Sequence, residues 1–161
     1  PPLDAIIFAV GKNNSARTTS TDEDVDQIFH TNVISQLKTV QLLKKKLRKG
    51  SSIIFFSSIT ARRGSAGRIP YSSSKSAIHG LVKSLAEDLA PSTRVNAICP
   101  GYIRTKQYEK NSSMSEKQRI KNIFVGRLGK PNEVAKLALF LSSEDGGYIN
   151  AQTINIDGGI R

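Results

Sequence analysis

The chain has 161 residues, 38% of them hydrophobic, and a formal net charge of +11 at pH 7. This length suits one domain with a buried core, and the hydrophobic content excludes a wholly disordered chain. No run approaches the roughly 18 apolar residues that a membrane-spanning helix requires. The densest basic run, 44–49, contains no aromatic residues, which disfavours a stacking surface for nucleic acid, and we interpret it as the solvated end of a helix.

The chain contains a single cysteine, Cys99, so no internal disulfide can form. This usage suits a reducing compartment, and we expect a cytoplasmic location. His30 and His79 lie far apart in the sequence with no cysteine partners, so we predict no metal site.

Four short apolar runs predict strands, at 4–10, 52–57, 94–99 and 152–156. None of them alternates strictly between apolar and polar residues. That pattern is typical of strands that are buried on both faces of a parallel sheet.

Helical patterns lie between these runs. The first begins at the capping-box pattern Ser20-x-x-Glu23 and continues to Leu47, the second covers about 71–89, and the third begins at Pro131. Alternation of strands and helices predicts an α/β fold with a doubly wound parallel sheet. Nothing in the sequence divides the chain into two domains.

A polar, lysine-rich insert at 102–128 interrupts this alternation. It follows the third predicted strand, and ligands bind beyond the carboxyl ends of strands in open α/β sheets. The insert is therefore interpreted as a lid over a substrate, and the alternative is a disordered loop.

Tyr71 and Lys75 lie four residues apart on the second predicted helix, so their side chains share a face. A neighbouring ammonium favours the phenolate form of a tyrosine, which could then exchange a proton with an alcohol or carbonyl oxygen. Ser58 ends an apolar strand and could bind a substrate carbonyl. Asn32 lies within the first helix, where a surface asparagine is the default interpretation.

The pattern resembles the short-chain dehydrogenase/reductase family, over nearly the whole chain. The matching segments are Asn32-Val33, Ser58, Tyr71-Ser-Ser-Ser-Lys75, Asn96-Ala-Ile-Cys-Pro100-Gly101, Thr105, Gly126 to Ala135, Tyr148 to Thr153 and Asp157-Gly-Gly159. The 3-oxoacyl-carrier-protein-reductase-like branch is the most similar. The resemblance implies a Rossmann-like sheet and an NADP- or NAD-dependent oxidoreductase that interconverts ketones and secondary alcohols.

The resemblance also implies roles for individual residues. Tyr71 would be the general acid/base, Lys75 would lower its pKa and bind the nicotinamide ribose, and Ser58 would polarise the substrate carbonyl. Asn32 would hold a water in a proton relay to Lys75. The residues implied to contact the cofactor are Ala9, Gly11, Tyr71, Lys75, Pro100, Gly101, Ile103 and Thr105.

The chain departs from the family in two places. The family's first strands and its glycine-rich phosphate loop are missing, and the twelve glycines include no G-x-x-x-G-x-G. We therefore expect residues 1–161 to be a single partial domain of a longer protein, with an apolar edge exposed on the first strand. Phe8 also stands where the family has an amide, so the stabilising role of that side chain is lost.

Several functions stay open at this point. The alternative to an active reductase is a non-catalytic or truncated family member that lacks the phosphate loop. The net charge suggests an acidic substrate carrier attracted by residues 44–49 and by Arg62, Arg63 and Arg68. A nucleic-acid partner also suits a positive charge, but we reject it because no aromatic residues are interleaved with the lysines. By family analogy we expect a dimer or tetramer formed through helices 21–48 and 71–89 and the last strand.

Overall fold

A computed structural model describes residues 1–13, 20–105 and 115–161. Within these ranges the strands are β1 (Leu3–Phe8), β2 (Leu47–Phe56), β3 (Thr93–Pro100) and β4 (Thr153–Ile156). The α-helices are α1 (Asp22–Phe29), α2 (Ser35–Leu43), α3 (Thr60–Arg63), α4 (Ile69–Asp88), α5 (Glu116–Ile120) and α6 (Pro131–Ser142). No helix in this part of the chain has both the length and the apolar character needed to cross a bilayer.

The four strands form one parallel sheet in the order β1-β2-β3-β4. Phe8 pairs with Phe55, Phe55 with Ala97, and Ala97 with Thr153. Because the strands are parallel, all their carboxyl ends meet at one edge, where ligands bind in such sheets. The predicted doubly wound α/β fold is confirmed.

Helices cover both faces of the sheet because alternate strand residues point to opposite sides. Ile53 and Phe55 pack with residues of α2 and α4, whereas Ile54 packs with α6. All three side chains are fully buried. This two-sided burial explains why the strand sequences lack a polar face.

The first predicted helix is shorter and less regular than its sequence pattern suggests. Its N-cap is Thr21, whose Oγ1 accepts a hydrogen bond from the Asp24 amide at 3.2 Å, so the predicted cap at Ser20 was wrong by one residue. The helix continues through a π-helical segment at His30–Ile34 and then through α2. Lys44–Lys46 form a 3₁₀ turn instead of an α-helical end.

Leu47 was predicted to face the core from a helix, but it begins β2. Leu47 pairs with Leu3 of β1, so strand pairing between distant residues prevails over the local helical pattern. Strand β2 therefore has ten residues, and the exposed lysines of the 3₁₀ turn precede its amino end.

The segment at the end of β1 combines a buried aromatic residue with exposed apolar ones. Phe8 stacks on Phe55 with ring centroids 4.9 Å apart, so the residue that replaces the family's amide becomes part of the core. Ile7 and Val10 are 46% and 63% exposed, and β1 is an edge strand of the sheet among the described residues. The predicted apolar edge is present.

The stacking of Phe8 on Phe55 makes the stability of β1 testable. We expect Phe8→Ala to lower the free energy of unfolding by about 3 kcal/mol, because it removes a buried ring and leaves a cavity. Val10→Ala, at the exposed position two residues later, should change it by less than about 0.5 kcal/mol. Urea unfolding of the two variants measures the difference, and equal losses would contradict the packing described for Phe8.

Candidate active site

A cleft of about 540 Å³ opens at the carboxyl edge of the sheet. Its walls come from the residues that follow β2 and β3 and from the first turn of α4. The predicted site residues that line it are Ala9, Ser58, Tyr71, Pro100, Gly101, Ile103 and Thr105. Lys75, Asn32 and Gly11 lie behind this wall and are treated below.

Tyr71 and Pro70 both lie in the first turn of α4. Proline is tolerated there because the amides of the first turn have no hydrogen-bond partner within the helix. Burial raises the pKa of Tyr71 above its usual value, and a hydrogen bond with the Ser58 side chain and the charge of Arg68 act against that rise. Tyr71 is therefore a neutral phenol at neutral pH, in the form that can donate a proton.

Ser58 is the second residue after β2 and is 8% exposed. Its Oγ accepts hydrogen bonds from the Thr60 amide at 3.2 Å and from the Thr60 hydroxyl at 3.1 Å. Since both contacts use Ser58 as an acceptor, its own proton serves the hydrogen bond with the Tyr71 oxygen.

Lys75 lies one turn beyond Tyr71 and is 3% exposed. Its ammonium donates a hydrogen bond to the Phe56 carbonyl at 2.8 Å and lies 5.9 Å from the centroid of the Tyr71 ring. Burial lowers the pKa of Lys75 to about 8. The predicted effect of Lys75 on the pKa of Tyr71 stays a prediction, since burial sets the direction of that shift.

Asn32 is fully buried in the π-helical segment, a local geometry that is frequent at functional sites. Its amide oxygen accepts from the Lys12 amide at 2.7 Å, and its amide nitrogen donates to the Lys12 carbonyl and to Ser74 Oγ, both at 2.9 Å. The expected surface position is therefore wrong. Both amide protons are in use, so the Asn32 side chain orders the segment after β1. The role of Asn32 in holding a water of a proton relay to Lys75 stays a prediction.

Gln36 supports the same segment from the next turn. It is 2% exposed, and its amide nitrogen donates to the Val10 carbonyl at 3.1 Å. Two buried amides, Asn32 and Gln36, thus hold the backbone that follows β1, in a chain where Phe8 supplies no amide.

Gly11 and Gly101 lack room for a side chain because of different neighbours. A Cβ on Gly11 would lie 3.2 Å from the Lys75 ammonium, so this glycine lets the loop approach the buried cation. A Cβ on Gly101 would lie 2.7 Å from the Cα of Asp157, so close packing of the C-terminal segment already requires glycine there. Only the first of these contacts belongs to the site.

A second set of contacts lies behind Lys75. Ser57 Oγ donates to the Lys75 carbonyl at 2.8 Å and lies 2.9 Å from His79 Nε2. Because the single Ser57 proton is used, His79 Nε2 must be the donor in the second contact. This link, which includes His79, fixes the end of β2 against α4.

Sequence reasoning missed further polar groups in the cleft wall. Asn13 Oδ1 is buried without a hydrogen-bond partner, and Arg68 and Arg119 also line the cleft. The guanidinium carbons of Arg119 and Arg63 lie 4.8 and 5.6 Å from the centroid of the Tyr102 ring. Arg68 could have been found from its spacing, three residues before Tyr71, but nothing in the sequence brings Arg119 to the same place.

The predicted lid can be followed only in part, because 106–114 lie outside the described residues. Helix α5 begins at a complete capping box between Ser115 and Gln118 and presents Arg119 to the cleft. Within the described ranges, no group of three or more His, Cys, Asp or Glu side chains is placed to hold a metal ion.

Comparisons with known proteins identify relatives of the chain. A family model described as enoyl-(acyl carrier protein) reductase matches residues 2–161. The 3-oxoacyl-[acyl-carrier-protein] reductase FabG of Thermotoga maritima is 34% identical over 142 residues, which cover 86% of this chain and 58% of that protein. The acetoacetyl-CoA reductase of Rhizobium meliloti is 35% identical over 163 residues, with 98% of this chain and 68% of that protein covered.

Solved structures of short-chain dehydrogenases/reductases are also similar to the chain. A short-chain dehydrogenase/reductase from Brucella melitensis has a TM-score of 0.96 and 27% identity, and the match covers 99% of this chain and 66% of that one. One from Francisella tularensis has a TM-score of 0.91 and 30% identity, over 98% and 71% of the two chains. The chain thus spans only part of the length of its relatives.

The buried ammonium of Lys75 makes stability depend on pH. Between about pH 8 and about pH 10.5 the folded protein binds fewer protons at Lys75 than the unfolded chain does, so stability rises with pH in this window. Relative to Lys75→Met, the free energy of unfolding of the wild type should rise by up to roughly 3 kcal/mol. Urea unfolding of both proteins across this pH range measures it, and a pH-independent difference would contradict a pKa shift by burial.

Proposed function

Because the chain belongs to the short-chain dehydrogenase/reductase family, we propose that it interconverts a ketone and a secondary alcohol, with Tyr71 as general acid/base and NADP or NAD as cofactor. The observation that carries the proposal is the meeting of Ser58 and Tyr71 in one cleft with Lys75 directly behind them. Residues 1–161 form, on this proposal, a single partial domain of the family fold.

The chemistry of the chain's own residues follows from their protonation. The Ser58 hydroxyl donates a hydrogen bond to the substrate carbonyl oxygen and thereby fixes its position. The neutral Tyr71 phenol then gives its proton to that oxygen as negative charge develops on it. The nearby Lys75 ammonium stabilises the phenolate that results, through the Coulombic attraction between opposite charges. In the reverse direction the Tyr71 phenolate removes the alcohol proton.

The cleft suits the nicotinamide end of the cofactor, which would supply or accept the hydride. Buried Asn13 Oδ1 lacks a donor, and Ala9, Ile103 and Thr105 line the same space. Pro100 and Gly101 complete this wall, while Lys75 and Gly11 would meet the adjoining ribose. No residue in the described ranges distinguishes NADP from NAD in this proposal.

The competing proposal is a non-catalytic family member, motivated by the missing phosphate loop. Calorimetric titration of the full-length protein with NADPH separates the two. Binding in the micromolar range supports the reductase, and no binding at millimolar NADPH supports the non-catalytic alternative.

The reductase proposal predicts the effect of removing one hydroxyl. Tyr71→Phe should lower kcat for ketone reduction about 100- to 10,000-fold, because the proton donor is lost while the ring and its packing remain. Tyr148→Phe, at a fully exposed tyrosine, is the matched control and should keep wild-type turnover. NADPH-dependent reduction followed by absorbance measures both, and normal turnover by Tyr71→Phe would exclude the proposed mechanism.

A carrier-linked substrate is a narrower proposal, supported by the name of the Thermotoga maritima relative and by basic residues near the cleft. The basic residues considered for it fall into two groups. Residues 44–49 lie at the amino end of β2, whereas Arg62 and Arg63 of α3 and Arg68 before α4 lie beyond its carboxyl end. The proposal therefore assigns the carrier contact to the second group, which is on the side of the cleft.

Self-association is also proposed, and apolar side chains on the surface support it. Leu139 on α6 and Tyr148 near β4 are 70% and 105% exposed, and Leu42 on α2 is 80% exposed. Leu42 lies in the helical segment 21–48 through which an assembly is expected, and exposed apolar surface can mark a contact between subunits when it is contiguous.

This surface gives a prediction for the oligomeric state. Leu139→Lys should shift a dimer or tetramer towards smaller species, because an ammonium in an apolar contact would lose its hydration. Leu42→Lys tests the helical surface of α2 in the same way. Light scattering after size-exclusion chromatography gives the molar mass, and unchanged assembly in both variants would contradict self-association through these surfaces.

A further inference from the structure

Arg68 occupies a distinctive position in the cleft. It is the N-cap residue of α4, three residues before Tyr71, and it is half-buried in the cleft wall. Arg68 and Tyr71 line the same cleft, and the charge of Arg68 acts to lower the pKa of Tyr71. Among residues 1–13, 20–105 and 115–161, no side-chain hydrogen bond or ion pair is formed by Arg68.

Arg119 brings a second guanidinium to the same cleft from helix α5. It is 8% exposed, and it stacks on the ring of Tyr102, whose hydroxyl accepts a hydrogen bond from Arg63 at 2.7 Å. Stacking on an aromatic ring fixes the plane of a guanidinium and therefore the direction of its donors.

The charges around the cleft are one-sided in the part of the chain that the structure describes. Two arginines line it, and no aspartate or glutamate is among its described lining residues. A half-enclosed space with guanidinium groups favours a ligand with negative charge, because planar guanidinium donors match the oxygens of carboxylates and phosphates.

We propose that the substrate of this cleft is a carbonyl compound bearing a carboxylate or phosphate group, which Arg68 binds beside the reacting carbonyl and which Arg119 attracts from α5. This inference rests on the proposed reductase function and adds the substrate class. Arg68 precedes Tyr71 by three residues and lines the same cleft, so one small substrate can meet both side chains.

The nicotinamide cofactor is the other source of an anionic group, since its phosphates carry the same charge. A substrate anion and a cofactor phosphate are distinguished by measuring each ligand separately. The measured quantity is the affinity of the protein for each ligand, so the test does not depend on enzymatic turnover.

Matched pairs of small ligands isolate the charge. The pairs are 4-oxopentanoate with its methyl ester, and dihydroxyacetone phosphate with dihydroxyacetone. Binding of each compound to the full-length protein is measured by ligand-observed NMR, and NADPH binding by calorimetry. The variants are Arg68→Gln, Arg68→Lys and Arg119→Gln. Arg62→Gln is the control, because Arg62 is an exposed arginine of nearby α3 outside the cleft wall.

We expect the wild type to bind at least one anionic compound about tenfold more tightly than its neutral partner, as charge-assisted hydrogen bonds allow. Arg68→Gln should remove most of that preference and leave the neutral partner unchanged, while Arg68→Lys should keep part of it. Arg119→Gln should reduce the preference less, and Arg62→Gln should not change it.

Three results would overturn the proposal: equal affinity for both members of each pair in the wild type, equal losses for both members in Arg68→Gln, or a loss confined to NADPH. The last would assign Arg68 to a cofactor phosphate. The reductase function is judged separately, by turnover in Tyr71→Phe. Reduction of neutral ketones without an anion preference would leave that function standing while this inference fails.

Discussion

The burial of the Lys75 ammonium is the constraint on which the rest of the site depends. Removing a charge from water costs several kcal/mol even after relaxation of the protein, so the surroundings must compensate. The Phe56 carbonyl supplies one hydrogen bond, and Gly11 leaves room for the loop to close over the cation. The lowered pKa shows that compensation is incomplete within this chain. An additional polar partner, such as a ribose hydroxyl, would therefore stabilise the charged form.

Two segments that are distant in the sequence are hydrogen-bonded to α4 beside the buried Lys75 ammonium. Ser57 joins the end of β2 to the helix at the Lys75 carbonyl, and Asn32 joins the segment after β1 to the helix at Ser74. Each link ends on the turn that carries Lys75. Buried polar contacts from Ser57, after β2, and from Asn32, in the π-helical segment, thus hold the helical turn that carries Lys75.

The sequence predicted the parts of this arrangement that depend on local patterns. Apolar runs indicated the strands, and a spacing of four residues placed Tyr71 and Lys75 on one helical face. Prediction from the sequence failed where contact with a distant residue determines the secondary structure or the burial of a side chain. Leu47 joins a strand because Leu3 pairs with it, and Asn32 is buried because the backbone of Lys12 lies against it. Arg119 reaches the cleft only through the packing of α5 on Tyr102, which no local pattern reveals.

The net charge of +11 has a different meaning once the chain is folded. The densest basic run precedes the amino end of β2, where its lysines are exposed to solvent and far along the strand from the cleft. Fewer charges stand at the carboxyl edge, but Arg68 and Arg119 are partly or largely removed from water there. A charge in such a setting is screened less than an exposed one. Two sheltered arginines therefore influence what enters the cleft more than the lysine run does, although the lysine run dominates the sequence.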